Sequence, residues 1–245
     1  GLTQRHCEMA VAELARAIFL AGGTLVYGGR LIPRGGFTDI LLDELRQYRE
    51  DRDALVLCVP ESEHRRLNND ELQRVAQELS SSVDLVCLDS DGEPVSITDR
   101  KDMSTPPDAA RALSAMRKQI TDRSDARVLV GGKLTGFQGD LPGVVEEAIL
   151  CLEAARPLYV AGGFGGAASA VANVLGYSSP SWFPADFPAG GAETEEALAR
   201  VADVAARKPP VGDGLTQIQR QQLAVTHRPG DIASLVVSGL GRRAD

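Results

Sequence analysis

Three glycine-rich stretches carry the clearest chemical signal in this sequence. Each one follows a short apolar run and precedes a segment with helical periodicity; they span residues 28–36, 131–143 and 162–166. Glycines between a strand and a helix let backbone N–H groups approach an anion at the N-terminus of the helix. One such stretch is as typical of a tight turn as of a ligand site, but three in one chain favour the binding of a phosphorylated ligand.

Side chains within these stretches could complete an anion site. Arg30 in the first loop and Lys133 in the second would neutralise phosphate charge. Phe164, flanked by glycines in the third loop, could stack on a ligand base or fill a gap in the core. The candidate ligand-binding residues of the three loops are Gly28, Gly29, Arg30, Gly36, Phe37, Thr38, Gly131, Gly132, Lys133, Gly143, Gly163, Phe164 and Gly165.

The hydrophobic pattern places these loops in an alternating series of strands and helices. Short apolar runs predict strands at residues 24–27, 54–59, 83–88, 126–130 and 157–161. Helical spacing predicts helices at residues 4–20, 37–50, 70–79, 108–122, 167–175, 193–206 and 231–240, with another helix after Pro142. This alternation predicts an α/β fold, a Rossmann-like and mostly parallel sheet flanked by helices on both faces, with ligands at the carboxyl ends of the strands.

The domain organisation follows from the same pattern. We expect one nucleotide-binding domain over residues 1–245, in which residues 176–245 form a C-terminal extension packed on it. The first predicted element is a helix, whereas doubly wound domains open with a strand. We therefore expect that the first strand is missing from this sequence.

Composition argues against several classes of function. The net charge of −8 disfavours non-specific nucleic-acid binding, which needs a basic surface. The four cysteines lie in apolar segments without a CxxC pair, which favours buried thiols in a reducing compartment and gives no metal site. No apolar run approaches the roughly 20 residues that span a bilayer, and no signal peptide is visible. We expect a cytoplasmic protein without nucleic-acid or membrane partners, and we interpret His64, flanked by charged residues, as a surface residue.

Three separated motifs, in this order, resemble the SLOG superfamily, which joins the LOG phosphoribohydrolases to nucleotide-sensing domains. The motifs read GGTLVYGGRLIPRGGFT, AMRKQITDRSDARVLVGG and PGVVEEAI. Gly28 and Gly29 match the family's first loop, and Gly131 and Gly132 match its paired glycines. The resemblance covers most of the chain and implies a Rossmann-like nucleotide-binding domain.

The same resemblance implies roles for an arginine and a glutamate. Arg117 matches the arginine of the family's M-x-x-R-K-type helix, and Glu146 or Glu147 matches the final glutamate of its PGGxGTxxE motif. In LOG enzymes these two residues serve hydrolysis of the N-glycosidic bond of a nucleoside 5′-monophosphate. Adjacent residues on a helix point about 100° apart, so only one of the two glutamates can contact a ligand, and the sequence leaves open which one.

The PGGxGTxxE motif is interrupted here, because a loop is inserted between the glycine pair and the glutamates. This long form, with GGFGGAA after the next strand, resembles SLOG domains that accompany TIR and other effectors in bacterial antiviral systems. That resemblance implies binding of ADP-ribose or a cyclic ADP-ribose isomer, without a further cofactor. It also implies a homo-oligomer that controls a TIR or other effector domain on the same or another chain. We expect a sensor rather than an enzyme, with a LOG-like phosphoribohydrolase as the alternative.

Overall fold

The computed structural model describes residues 4–31, 37–49, 52–79, 83–99, 107–183 and 190–244. Over these ranges the chain forms ten α-helices and five β-strands. They belong to two compact units, which we name by their sheets. The three-stranded unit comprises Ala15–Arg123, and the two-stranded unit comprises Gly1–Leu14 and Ser124–Asp245. Helix α1 (Gln4–Leu20) begins in the two-stranded unit and ends in the three-stranded one.

The three-stranded unit is a parallel sheet with helices between its strands. The strands, hydrogen-bonded in the order β1-β2-β3, are β1 (Leu25–Gly28), β2 (Leu55–Val59) and β3 (Asp84–Cys87). The helices are α2 (Phe37–Tyr48), α3 (Glu61–His64), α4 (Asn69–Leu79) and α5 (Ala109–Arg123). Leu25 pairs with Leu55 and Val56 pairs with Asp84, so the carboxyl ends of all three strands meet at one edge of the sheet.

Helix α5 packs against the sheet where β1 ends. The buried side chains at this contact are Cys58, Val86, Leu88, Met116 and Ile120. Gly28 permits the approach, because a Cβ at this position would lie 2.6 Å from Cε of Met116. A larger residue at the end of β1 would therefore force the Met116 and Ile120 side chains to shift.

The two-stranded unit pairs β4 (Arg127–Val130) with β5 (Leu158–Ala161) in parallel. Its helices are α6 (Gly143–Glu153), α7 (Gly166–Val174), α8 (Ala192–Arg207), α9 (Gln217–Val225) and α10 (Pro229–Ala244). Alanines dominate the buried side of α7, which lets this helix pack closely within the unit's hydrophobic core. Thr216 caps α9 through a capping box with Gln219.

The predicted α/β class is confirmed by these two parallel sheets and their flanking helices. Within each sheet the strands keep the neighbours that they have in a doubly wound fold, whose order is 3-2-1-4-5-6. Helix α1 has the predicted bounds, and the other predicted helices and strands begin and end within two residues of their expected positions, except that the last helix, α10, ends four residues later than expected. Among the described residues, no helix combines the length and the apolar character needed to cross a membrane.

The prediction that His64 is a surface residue is wrong. His64 ends α3, a four-residue helix, and only 2% of its surface is exposed. Its Nε2 donates a hydrogen bond to the carbonyl of Leu88, 2.9 Å away. A short polar helix has no hydrophobic period, so nothing local in the sequence indicates that one of its residues is buried.

The cysteines are buried or half-buried, and none of the four forms a disulfide within the described ranges. Burial raises the pKa of Cys151 to about 12 and that of Cys7 to about 11. Because the thiolate is the reactive form, these two thiols are unsuited to nucleophilic chemistry near neutral pH.

Candidate functional site

The first glycine loop begins where β1 ends, in the three-stranded unit. The N–H of Gly29 donates to the carbonyl of Cys58 at 3.2 Å, which holds the loop against β2. A Cβ on Gly29 would lie 2.5 Å from Cδ1 of Leu57 and 2.9 Å from Oγ1 of Thr38. A larger residue here would force these side chains to move, and glycine lets the Thr38 hydroxyl lie directly against the loop backbone.

Thr38 has an unusual environment for a hydroxyl group. It is the second residue of α2, only 3% of its surface is exposed, and Oγ1 has no hydrogen-bond partner among the described residues. Leaving such a group unsatisfied costs about 1–3 kcal/mol, so it needs an explanation. The first N–H groups of α2 have no acceptors within the helix, and the helix dipole favours an anion at this end. Hydroxyl and helix end together offer hydrogen-bond donors to an anion.

Other predicted residues of this loop have different surroundings. Arg30 is exposed, Phe37 opens α2 and is half-buried, and Gly36 lies outside the described residues. Arg117 lies on α5 and is buried, next to the Met116 that contacts Gly28. Their contacts with a ligand stay predictions.

A carboxylate that the sequence analysis missed contacts this loop two residues after Gly29. The N–H of Leu31 donates to Oε1 of Glu63 at 3.2 Å, and Glu63 is 7% exposed. Nη1 of Arg66 lies 3.3 Å from Oε2 of the same carboxylate. The sequence signal that could have identified Glu63 is its position shortly after the second strand. Acidic residues at that point often contact a ribose in doubly wound folds.

Glu61, on the same helix, accepts hydrogen bonds from Ser90, which follows β3, and from Arg65. The Ser90 hydroxyl donates to Oε2 of Glu61, and Nη1 of Arg65 lies 3.0 Å from Oε1. Burial acts to raise the pKa of Glu61, but the hydrogen bonds from Ser90 and Arg65 and the charge of Arg65 outweigh it, so the pKa lies below 4.5. Glu61 therefore joins α3 to the residues after β3.

The second glycine loop caps a helix of the two-stranded unit. Gly131 and Gly132 both adopt positive φ, at 60° and 91°. The carbonyls of these residues accept the N–H groups of Ala168 at 2.7 Å and Ala167 at 3.0 Å. These N–H groups belong to the first turn of α7, so two of the free donors at that helix end are satisfied by the loop, while the ligand contacts of Gly131 and Gly132 stay predictions.

The third glycine loop is packed against a later part of the chain. A Cβ on Gly163 would overlap the carbonyl of Thr226, and one on Gly162 would overlap the carbonyl of Ala224. Gly165 precedes α7 with a φ of 79°, and Phe164 is half-buried. Close packing therefore accounts for glycine at 162 and 163, while the ligand contacts of Gly163, Phe164 and Gly165 stay predictions.

The two adjacent glutamates of α6 differ in their surroundings. Oε2 of Glu147 lies 3.6 Å from Nη1 of Arg127 on β4, so this carboxylate is held in an ion pair. Glu146 lies in the first turn of the helix and is 9% exposed. Gly143 begins α6 after Pro142, and no side chain caps this end among the described residues.

The loop inserted between β4 and α6 is anchored at its start. Leu134 is buried in the core of the two-stranded unit, and its carbonyl accepts a 2.6 Å hydrogen bond from the hydroxyl of Thr194 on α8. Lys133, which precedes it, is exposed. The insertion is therefore attached to α8 at its start.

Parallel strands that end in glycine loops followed by helices define a Rossmann-like α/β protein. The chain belongs to the SLOG family: the family model described as "SLOG cluster2" matches residues 1–241. Comparison with curated proteins and with solved structures returned no match. Membership of this family suggests a nucleotide-related function.

Proposed function

We propose that this chain binds an NAD-derived nucleotide, ADP-ribose or a cyclic isomer of it, as a signal. The observation that supports this best is the buried hydroxyl of Thr38, which lies beside Gly29 at the start of α2 and has no hydrogen-bond partner within the described part of the chain. In the proposal a phosphate accepts hydrogen bonds from Thr38 and from the first N–H groups of α2. The exposed Arg30 adds a positive charge at the same loop.

Signalling requires that the nucleotide distinguishes two states of the protein. A ligand shifts an equilibrium only by its difference in affinity for the two states. We propose that the states are assembly states of a homo-oligomer, and that the favoured one activates an effector domain such as TIR on the same or another chain, in antiphage defence. The nucleotide acts here as a ligand, and no further cofactor is required.

The alternative function is a LOG-like phosphoribohydrolase. Two observations support this alternative: Glu146 is buried in the first turn of α6, and Glu147 forms an ion pair with Arg127. A buried carboxylate is a suitable general acid or base, so Glu146 is the candidate for that role.

Thermal unfolding with a panel of ligands tests the proposal. The panel contains ADP-ribose, cyclic ADP-ribose isomers, NAD and AMP, and each sample is then analysed by chromatography. A ligand at 100 times its Kd adds about 2.7 kcal/mol of stability. Stabilisation by an ADP-ribose-type ligand that is recovered intact supports the sensor. Release of adenine from AMP, abolished by Glu146→Gln, supports the hydrolase instead, and the absence of any shift refutes nucleotide binding.

A further inference from the structure

The order of the three-stranded sheet suggests where a ribose could be recognised. Strand β2 is the direct neighbour of β1, so residues that follow β2 lie beside the first glycine loop. In doubly wound folds that bind dinucleotides, an acidic residue at this point accepts a hydrogen bond from the ribose 2′-hydroxyl. Two acidic residues of α3 follow β2 here, Glu61 and Glu63.

Contacts distinguish these two carboxylates. Glu61 is engaged by Ser90 and Arg65, on the side of β3. Glu63 instead accepts the N–H of Leu31, two residues beyond Gly29, so its carboxylate belongs to the glycine loop. Of the two, Glu63 is the one placed beside the proposed phosphate site.

Contacts from the described residues leave acceptor positions open on the Glu63 carboxylate. An ionised carboxylate offers about four lone-pair positions on its two oxygens. The N–H of Leu31 uses one position on Oε1, and the guanidinium of Arg66 lies 3.3 Å from Oε2. The remaining positions suit a vicinal diol, which donates two hydrogen bonds, and the negative charge repels a phosphate at the same place.

We propose that Glu63 determines the specificity of the nucleotide site by accepting hydrogen bonds from the adenosine ribose hydroxyls and excluding a 2′-phosphate. This inference rests on the proposed function, because it assigns a role within that nucleotide site. A purely structural role for Glu63, holding Leu31 in place, would affect all nucleotides equally. Selectivity between two ligands therefore separates the two roles.

The test compares affinities for ADP-ribose and ADP-ribose 2′-phosphate by titration calorimetry. Glu63→Gln keeps an oxygen for the Leu31 N–H and the shape of the side chain while it removes the charge. Glu61→Gln is the matched control, since it removes one charge from the same helix without a contact to the loop. We expect the wild-type protein and Glu61→Gln to prefer ADP-ribose, and Glu63→Gln to reduce that preference about tenfold or more.

Each result has one interpretation. An unchanged affinity ratio in Glu63→Gln, with ADP-ribose still bound by the wild type, overturns the role of Glu63 and leaves the proposed function standing. A wild-type preference for the 2′-phosphate overturns it as well, even if Glu63→Gln does not fold. Failure of the wild type to bind either nucleotide overturns the proposed function and this inference together.

Discussion

Replacing Thr38 by valine is the most direct test of the anion site, because the substitution exchanges the hydroxyl for a methyl group and hardly changes the volume of the side chain. Thr38 is buried and its hydroxyl has no partner among the described residues. Valine removes the unsatisfied oxygen, so we expect the ligand-free protein to gain about 1 kcal/mol of stability or more. For a chain of 245 residues, each kcal/mol corresponds to roughly 2–4 °C in Tm.

Nucleotide binding should change in the opposite direction. A hydrogen bond from a hydroxyl to a charged phosphate contributes about 1.5–3 kcal/mol, so its loss weakens binding by roughly one to two orders of magnitude. Thermal unfolding without ligand measures the first effect, and calorimetric titration with ADP-ribose measures the second. A variant that is more stable alone and binds more weakly is the expected signature.

Thr121→Val is a matched control in the same unit. Thr121 is also a buried threonine, but its hydroxyl donates to the carbonyl of Arg117 at 2.9 Å. Valine there should lower stability by about 0.5–1.5 kcal/mol and leave the affinity for ADP-ribose unchanged. If Thr38→Val destabilises the ligand-free protein as Thr121→Val does, the Thr38 hydroxyl is satisfied and the argument for an anion site is refuted.

Two further predictions concern stability. The pKa of Glu61 is lowered in the folded protein, so the ionised carboxylate stabilises the fold at pH 7. This contribution is lost as the pH falls from about 4.5, the ordinary pKa, through the lower pKa of the folded state. Glu61→Gln should therefore lower the urea midpoint at pH 7 but not in acid, and an equal decrease at both pH values would contradict the prediction. Arg220 holds the Asp213 carboxylate, which is 4% exposed, through bonds of 2.9–3.0 Å. Arg220→Ala leaves that carboxylate buried without its arginine partner and should lower the free energy of unfolding in urea by on the order of 2 kcal/mol. The expected loss is smaller than for a fully buried pair because the arginine is partly exposed. A loss below about 0.5 kcal/mol would show that the pair contributes little to stability.

The sequence was sufficient for the elements whose signal is local. Helix α1 could be bounded because its apolar residues recur at helical spacing up to a glycine pair, and β2 because it is a continuous apolar run. The strand and helix alternation then fixed the α/β class. Helix α3 was missed because its four residues are polar and are held by contacts with residues after β1 and β3.

Features that depend on distant contacts could not be predicted. The glycines of the third loop read as a ligand loop, yet Gly163 packs against Thr226, more than sixty residues later in the chain. The ion pair between Glu147 and Arg127, which gives Glu147 different surroundings from Glu146, could not be predicted without knowing how α6 lies on β4. Local pattern therefore identified where glycine is required, and only the packed structure identified the reason.

The two backbone hydrogen bonds between the second glycine loop and α7 allow the conformation of that loop to be followed in solution by amide hydrogen exchange. Amides in the first turn of a helix usually exchange with solvent quickly, because they have no carbonyl partner. Here Ala167 and Ala168 donate to Gly132 and Gly131, so their amide protons are protected only while the loop keeps its conformation. Hydrogen exchange at these two alanines therefore reports opening of the loop at residues 131–132. A ligand that rearranges the loop will change the exchange rates of Ala167 and Ala168 before it changes the rates of amides in the interior of α7.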